Sequence, residues 1–227
     1  MFNHVGCPPL QELDVVTDPE LGRFYTTPSG MRVPSVTTVL GQTSDKSWLQ
    51  DWRQSMGEKK ADRETTRCLD RGETVHSLAE KYLNNETLFL DGNTTDNVRM
   101  FNQLKMRLRK IDNIRAQEVP LYSEVLGIAG RVDCVGEYKG QLCIIDFKTS
   151  NGIKTRAMVA DYYLQCTAYA LMWYELTGEQ IDHLTILMAV EKSAVSMIFQ
   201  DPIDKYIKPL RQRIKLFNTN KGLQHVI

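Results

Sequence analysis

The sequence predicts an α/β (α+β) fold, a mixed central sheet flanked by helices with an N-terminal helical elaboration. Three observations carry this. The chain has 227 residues, 42% hydrophobic and 25% charged, enough apolar material for a real core, and it reads as one domain over 1–227. Apolar residues recur at helical spacing up to about residue 115, and from Ala116 the texture becomes strand-like. The order from there is β-β-β-α-β-β over about 116–200, closed by a helix over 201–227.

In chain order, RFYTTPSGMRV (Arg23 to Val33) reads as a hairpin turning at Pro28, Ser29 and Gly30. A short helix follows to Leu40, with Ser35 as its N-cap. Helical patterns run from Lys46 to Gln54, Glu58 to Leu83 and Thr95 to Ile114, and the Asn/Gly/Thr/Asp-rich stretch from Asn84 to Asn97 reads as a loop or lid. Then come the strand runs AQEVPLYSEV, IAGRVDCVGEY and QLCIIDFKT, the last two joined by a tight Lys139–Gly140 turn. A helix from about Met158 to Leu176 stops at Gly178, and Ile181 to Val190 and Ala194 to Phe199 are further strands.

Two carboxylates interrupt these apolar strands, Asp133 in RVDCV and Asp146 in CIIDFKT. On antiparallel neighbours joined by a short turn they are expected on one sheet face, a few ångströms apart. Carboxylates that close repel unless a cation neutralises them, and their hard oxygens suit Mg²⁺ or Mn²⁺. Lys148, two residues after Asp146, points the same way and can orient a water or offset phosphate charge. Phe147 points into the core, with its backbone carbonyl free to reach a metal. The bland alternative is an Asp146–Lys148 ion pair and an incidental Asp133; burying such charge in strands without a use is expensive.

These residues sit within a longer series: PSVTTVLGQT (Pro34 to Thr43), RGETVHSLAE (Arg71 to Glu80), QEVPLYS (Gln117 to Ser123), GRVD–turn–IIDFKTS, and DYYLQCTAYA (Asp161 to Ala170). In this order, over about residues 34 to 190, they resemble the PD-(D/E)xK nuclease superfamily and, within it, the RecB-like exonucleases of phage type and of mitochondrial genome maintenance. The resemblance implies a restriction-endonuclease-like core and a Mg²⁺- or Mn²⁺-dependent DNA exonuclease, acting on single strands or DNA ends in replication, recombination or degradation. A structure-specific or restriction-type endonuclease and a non-catalytic nucleic-acid-binding module are the competing readings.

The resemblance makes His76 a metal ligand beside Asp133, Asp146 and the Phe147 carbonyl, with Lys148 catalytic. Glu80, one helical turn from His76, either holds the imidazole tautomer or is an exposed helix glutamate. Glu118 either supports the ligands and substrate from behind or is an edge-strand charge. Gln165 and Tyr169, one turn apart, can donate to phosphate oxygens or merely edge the core. Lys154 and Arg156 either face the substrate backbone or are solvated loop charges. Trp48, Trp52 and Tyr82 are read as core rather than as base-stacking platforms.

Other classes are disfavoured. No run approaches the roughly 20 apolar residues of a membrane span. Five scattered cysteines without a CxxC argue against disulfide and cysteine-only metal scaffolds and for a reducing compartment. No cysteine follows Cys166, so no iron–sulfur cluster is expected, and no Walker-type loop is present. With no signal or transit peptide visible, the expectation is a bacterial or phage-infected cytosol, with DNA and possible replication or recombination proteins as partners. Formal charge is +0, so any DNA footprint is local. The basic segments Arg99 to Lys110 and Asp201 to Phe217 are either solvated helix faces or phosphate contacts.

Overall fold

A computed structural model describes residues 1–222. The first unit is a three-stranded antiparallel sheet, β1 (Asp14–Asp18), β2 (Gly22–Thr26) and β3 (Arg32–Pro34). The expected hairpin is β2–β3, with Tyr25 opposite Val33; β1, whose residues are almost all exposed, had no apolar pattern to announce it. Leu13, Tyr25 and Val33 pack on Ala129 of the main sheet. Helix α1 (Val36–Thr43) follows, and Ser35 caps it by accepting from the Thr38 amide at 3.0 Å.

The main sheet has the order β4 (Ile111–Ser123), β5 (Ile128–Tyr138), β6 (Gln141–Ser150), β7 (His183–Val190), β8 (Met197–Pro202). It is mixed, as expected: β6 and β7 are parallel and every other pair is antiparallel. The parallel step requires a crossover, supplied by α5 (Ala160–Thr177), which Gly178 ends in the left-handed conformation at φ 75°. Lys139 and Gly140, both at positive φ, make the tight β5–β6 turn.

Helices cover both faces. On one side α1, α5 and α6 (Asp204–Asn220) bury Val39, Trp173 and Phe217 against Val132, Ile144 and Ile186. On the other, α3 (Glu58–Leu83) and α4 (Thr95–Leu108) bury Val75, Phe101 and Leu104 against Cys143, Ile145 and Phe147. Helix α2 (Ser47–Met56) buries no residue, and Trp48 on it is 64% exposed, so the core role expected for this aromatic is not realised.

The helix expected to run to Ile114 ends at Leu108. Ile111 and Ile114 are strand residues, because Ile111 pairs with Tyr138 of β5 and Ile114 exchanges backbone hydrogen bonds with Asn3 and Val5. Leu104, Leu108 and Ile111 fit a helical stripe, and pairing with β5 and with the distant N-terminal segment overrides it. The expected C-terminal helix is α6, which starts at Asp204 rather than 201 because Asp201 and Pro202 pair with β7 as the end of β8; residues 223–227, also expected in it, lie outside the described residues. Several basic side chains of the two basic segments act as struts. Arg99 and Arg107 bond Ser193 and Ser196, and Arg213 bonds Asp161 and the end of α1.

Candidate active site

The site lies where the regular sheet breaks. The β5–β6 ladder ends at the pair Cys134–Ile145, and Asp133 is one residue beyond it. Its Oδ2 accepts from the Phe147 amide at 2.7 Å, in place of a ladder bond. On the other side of β5, Glu118 lies opposite Asp133 and has φ 49°, a conformation rare for a residue with a side chain. Both strands lose alternation at this point. Val132 and Val135, three residues apart, face the same core, and so do Ala116 and Val119. The two aspartates are therefore close without being the regular cross-strand pair expected from the short turn.

Asp146 remains in β6 and is 1% exposed. Its Oδ1 accepts from Lys148 Nζ at 2.6 Å, while its Oδ2 is buried with no hydrogen-bond partner among the described residues. Lys148 Nζ also lies 5.1 Å from the centre of the Tyr162 ring. Burial pushes the Asp146 carboxyl up to about 7, with Lys148 pulling against it and Asp133 adding to it. For Lys148, burial pulls down, but the carboxylates of Asp146 and Asp133 win and hold it as an ammonium.

His76 projects from α3, with Nδ1 3.5 Å from Asp133 Oδ2 and its ring edge-on to Phe147. Burial lowers its pKa, against the pull of Asp133, so a neutral imidazole with a free lone pair is favoured. The helix is fixed nearby by the buried Arg71, paired with Glu191 at 2.9 Å. Burial, then Asp133 and Glu80, push Glu118 up to about 7. His76, Glu118 and Asp133 each offer a ligand atom, all within 4.8 Å of one another. This donor set, with the orphaned Asp146 oxygen, fits a hard divalent cation.

These groups open into a cleft of about 700 Å³, lined also by Glu80, Lys148, Gln165 and Tyr169. Gln165 Nε2 donates to Tyr169 Oη at 3.1 Å, and burial keeps that phenol protonated far above its usual range. The phenol thus accepts from Gln165 and keeps its own proton to donate. Gly130 makes room: a Cβ there would lie 2.8 Å from Tyr169 Cε1. Phe147 buries its ring in the α3-side core, as expected.

Lys154 does not line the cleft; after β6 the Ser150–Gly152 turn leads the chain away, and the Lys154 amide meets Met197 Sδ of β8. Arg156 is likewise spent elsewhere, on Asp201 and the Gln200 carbonyl. The sequence reading missed Arg23, Tyr25 and Arg131, which also line the cleft. Arg131 had a signal, two residues before Asp133 within GRVD; Arg23 and Tyr25 had none beyond their hairpin.

The titrations have a measurable consequence. The folded-state pKa values of Asp146 and Glu118 lie above their ordinary 3.8 and 4.5. The folded chain therefore binds more protons between about 4 and 7, and these groups lose it stability as pH rises through that window. His76, depressed from 6.5, works the other way and only below that pH. The metal-free melting temperature should fall between about pH 6.5 and 7.5 and level off above that, and the rise caused by Mn²⁺ should grow over the same range. A flat metal-free profile with a pH-independent Mn²⁺ shift would contradict this account.

Comparison with known proteins places the geometry in a family. A model of the PD-(D/E)XK nuclease superfamily matches residues 48–215. Mitochondrial genome maintenance exonuclease 1 of Homo sapiens is 34% identical over 146 residues, 60% of this chain and 42% of that protein. The Mus musculus protein of the same name is 30% identical over 147 residues, 60% of this chain and 43% of that one. The chain thus spans less than half the length of these relatives. Among solved structures, SSO0001 is similar at a TM-score of 0.44 and 16% identity, over 84% of this chain and 76% of that one. With the family model covering the site and most of the sequence, the chain belongs to the PD-(D/E)XK nuclease superfamily.

Proposed function

We propose that the protein is a Mg²⁺- or Mn²⁺-dependent deoxyribonuclease that hydrolyses phosphodiester bonds from DNA ends, with single strands as the preferred substrate. The observation that carries this is Asp146, fully buried, with one oxygen on Lys148 and the other without a hydrogen-bond partner among the described residues. An unsatisfied buried acceptor costs about 1–3 kcal/mol, and a cation removes that cost. Family membership supports the chemistry, and the names of the relatives support the exonuclease reading.

Asp133, Asp146, His76 and the Phe147 carbonyl would hold the cation, with Glu80 behind His76. Once bound, it would polarise the scissile phosphate and lower the pKa of the attacking water. Lys148 then hydrogen-bonds that water and offsets charge growing on the phosphate. Tyr169 donates its proton to a phosphate oxygen while Gln165 fixes the phenol. Arg23, which also lines the cleft, suits the backbone of a strand lying in it.

Among the described residues no helix is long and apolar enough to cross a membrane. We place the enzyme with DNA in a bacterial or phage-infected cytosol, working beside replication or recombination proteins. The test uses purified protein, Mg²⁺, and matched linear and circular DNA, single- and double-stranded. Linear single strands should be degraded and circles left intact, and Asp146→Asn should lower the rate by about 10²–10³-fold. Cleaved circles would replace this reading with an endonuclease; no cleavage of any substrate with either metal would refute nuclease function.

A further inference from the structure

We propose that the outer face of α6 is a second contact for the DNA backbone, made by the row Lys208, Arg211 and Lys215 outside the catalytic cleft. This rests on the DNA reading above and adds to it a surface that carries no chemistry of its own.

The row follows from the helix. In a chain of formal charge +0, α6 carries five basic residues and one acidic residue. Leu210, Ile214 and Phe217 bury one face, and Arg213 on its flank is spent on Asp161 and the end of α1. At about 100° per residue, Lys208, Arg211 and Lys215 fall within about 60° of one another on the side away from that face. All three are exposed, and none has a side-chain partner among the described residues.

Pairing is the second argument. Arg53, Arg67 and Arg99, on other helices, each hold a carboxylate. Asp204, the acid of α6, sits in the first turn, where the helix dipole favours it, and makes no ion pair with Lys208 four residues on. Like charges three and four residues apart on a helix repel, so the row is held at a small cost that a polyanion removes.

Spacing names the polyanion. The row spans seven residues, about 10 Å along the axis. A nucleic-acid strand in helical form carries one phosphate per ~3.4 Å, so the row meets about three. A lipid surface is a poorer match. Leu216 alone supplies a large apolar side chain on the exposed side, and three charges fall short of the clusters of about four to eight that anionic membranes select.

Position agrees. Asp161, bonded by Arg213 at 3.0 Å, precedes Tyr162, whose ring centre lies 5.1 Å from Lys148 Nζ. The inner side of α6 therefore meets the start of α5 next to the catalytic strand, and the row lies about one helix diameter, ~10 Å, further out. Only a strand longer than the cleft reaches it.

The test sets wild type against the triple variant Lys208→Gln, Arg211→Gln, Lys215→Gln. Fluorescence anisotropy without metal, over a salt series, follows binding of labelled single strands of about 6 and about 30 nucleotides. Wild type should bind the long strand more tightly. The variant should lose about tenfold or more of long-strand affinity at low salt, with a log–log salt slope shallower by about 2. Its kcat on the short strand and its melting temperature should match the wild type, since the three side chains lie outside core and cleft. Lys110→Gln with Lys139→Gln, exposed at the far β5–β6 turn, should leave the slope unchanged. An unchanged slope in the triple variant, or an equal loss in the turn pair, would overturn the proposal. So would full DNA affinity in a triple variant that no longer binds phosphatidylserine vesicles, which would make the face a membrane contact. If wild type cleaves DNA and the triple variant equals it in binding, this inference alone fails; if wild type binds no DNA, the underlying reading fails with it.

Discussion

Lys148→Met should abolish DNA cleavage, by about 10³-fold or more in kcat, while Mn²⁺ binding persists or tightens. The two effects separate because Lys148 touches Asp146 Oδ1 at 2.6 Å and lines the cleft, but offers no lone pair while it remains an ammonium. Removing it frees a carboxylate oxygen and deletes a positive charge that competes with the cation. Without metal, the same change leaves Asp146 buried and unpaired, at a cost of about 3–5 kcal/mol before protonation softens it. Saturating Mn²⁺ should therefore restore more stability to Lys148→Met than to wild type. Arginine is no substitute, since a planar fork does not fit the space of a single ammonium contact. Cleavage within about tenfold of wild type in Lys148→Met would show that the lysine is only a counter-ion.

On the proposed reading, the ion pair and a catalytic Lys148 would be the same residue in two states of loading. Metal-free, the ammonium neutralises part of a buried charge problem; with a cation bound, it would be free to turn toward the substrate. That explains why the bland sequence alternative, an Asp146–Lys148 pair, is present in the structure without excluding the catalytic one.

How far the sequence carried depended on periodicity. β6, α5 and β7 were legible because CIIDFKT, Gly178 and the apolar run to Val190 follow their periods without interruption. The residues Asp133, Asp146, Lys148, His76, Gln165 and Tyr169 stand on elements of that kind or beside them, and all but the buried Asp146 line the cleft. Glu118 was harder, because alternation assigns a strand residue to a face and Glu118 is where alternation fails. Only in the folded chain does φ 49° bring it opposite Asp133. The extension of β4 back to Ile111 was hidden for a related reason: Ile111 and Asp112 pair with Tyr138 and Glu137 of β5, and Ile114 bonds Asn3 and Val5 from the other end of the chain. Lys154 and Arg156 were misplaced by nearness in sequence, which the turn at Ser150–Gly152 undoes.

Gly130→Ala is the other change with a large expected effect, and it tests whether the cleft depends on one missing methyl group. Gly130 has an ordinary backbone conformation, so the glycine is required by space rather than by φ. A Cβ would meet Tyr169 Cε1 at 2.8 Å and Oη at 3.1 Å, and Tyr169 is 3% exposed, with little room to retreat. Overpacking of this kind costs about 1–3 kcal/mol. The ring can yield only by moving its hydroxyl off Gln165, 3.1 Å away, which removes the donor from the phosphate side of the cleft. We expect a melting temperature lower by several degrees and kcat lower by at least about tenfold, with Mn²⁺ affinity unchanged because no ligand moves. The variant Tyr169→Phe separates the two consequences: it removes the donor while leaving the ring, so it should share the kcat loss and not the loss in packing. Equal kcat in Tyr169→Phe and wild type would reduce Tyr169 to a packing residue and leave Gly130 important for stability alone.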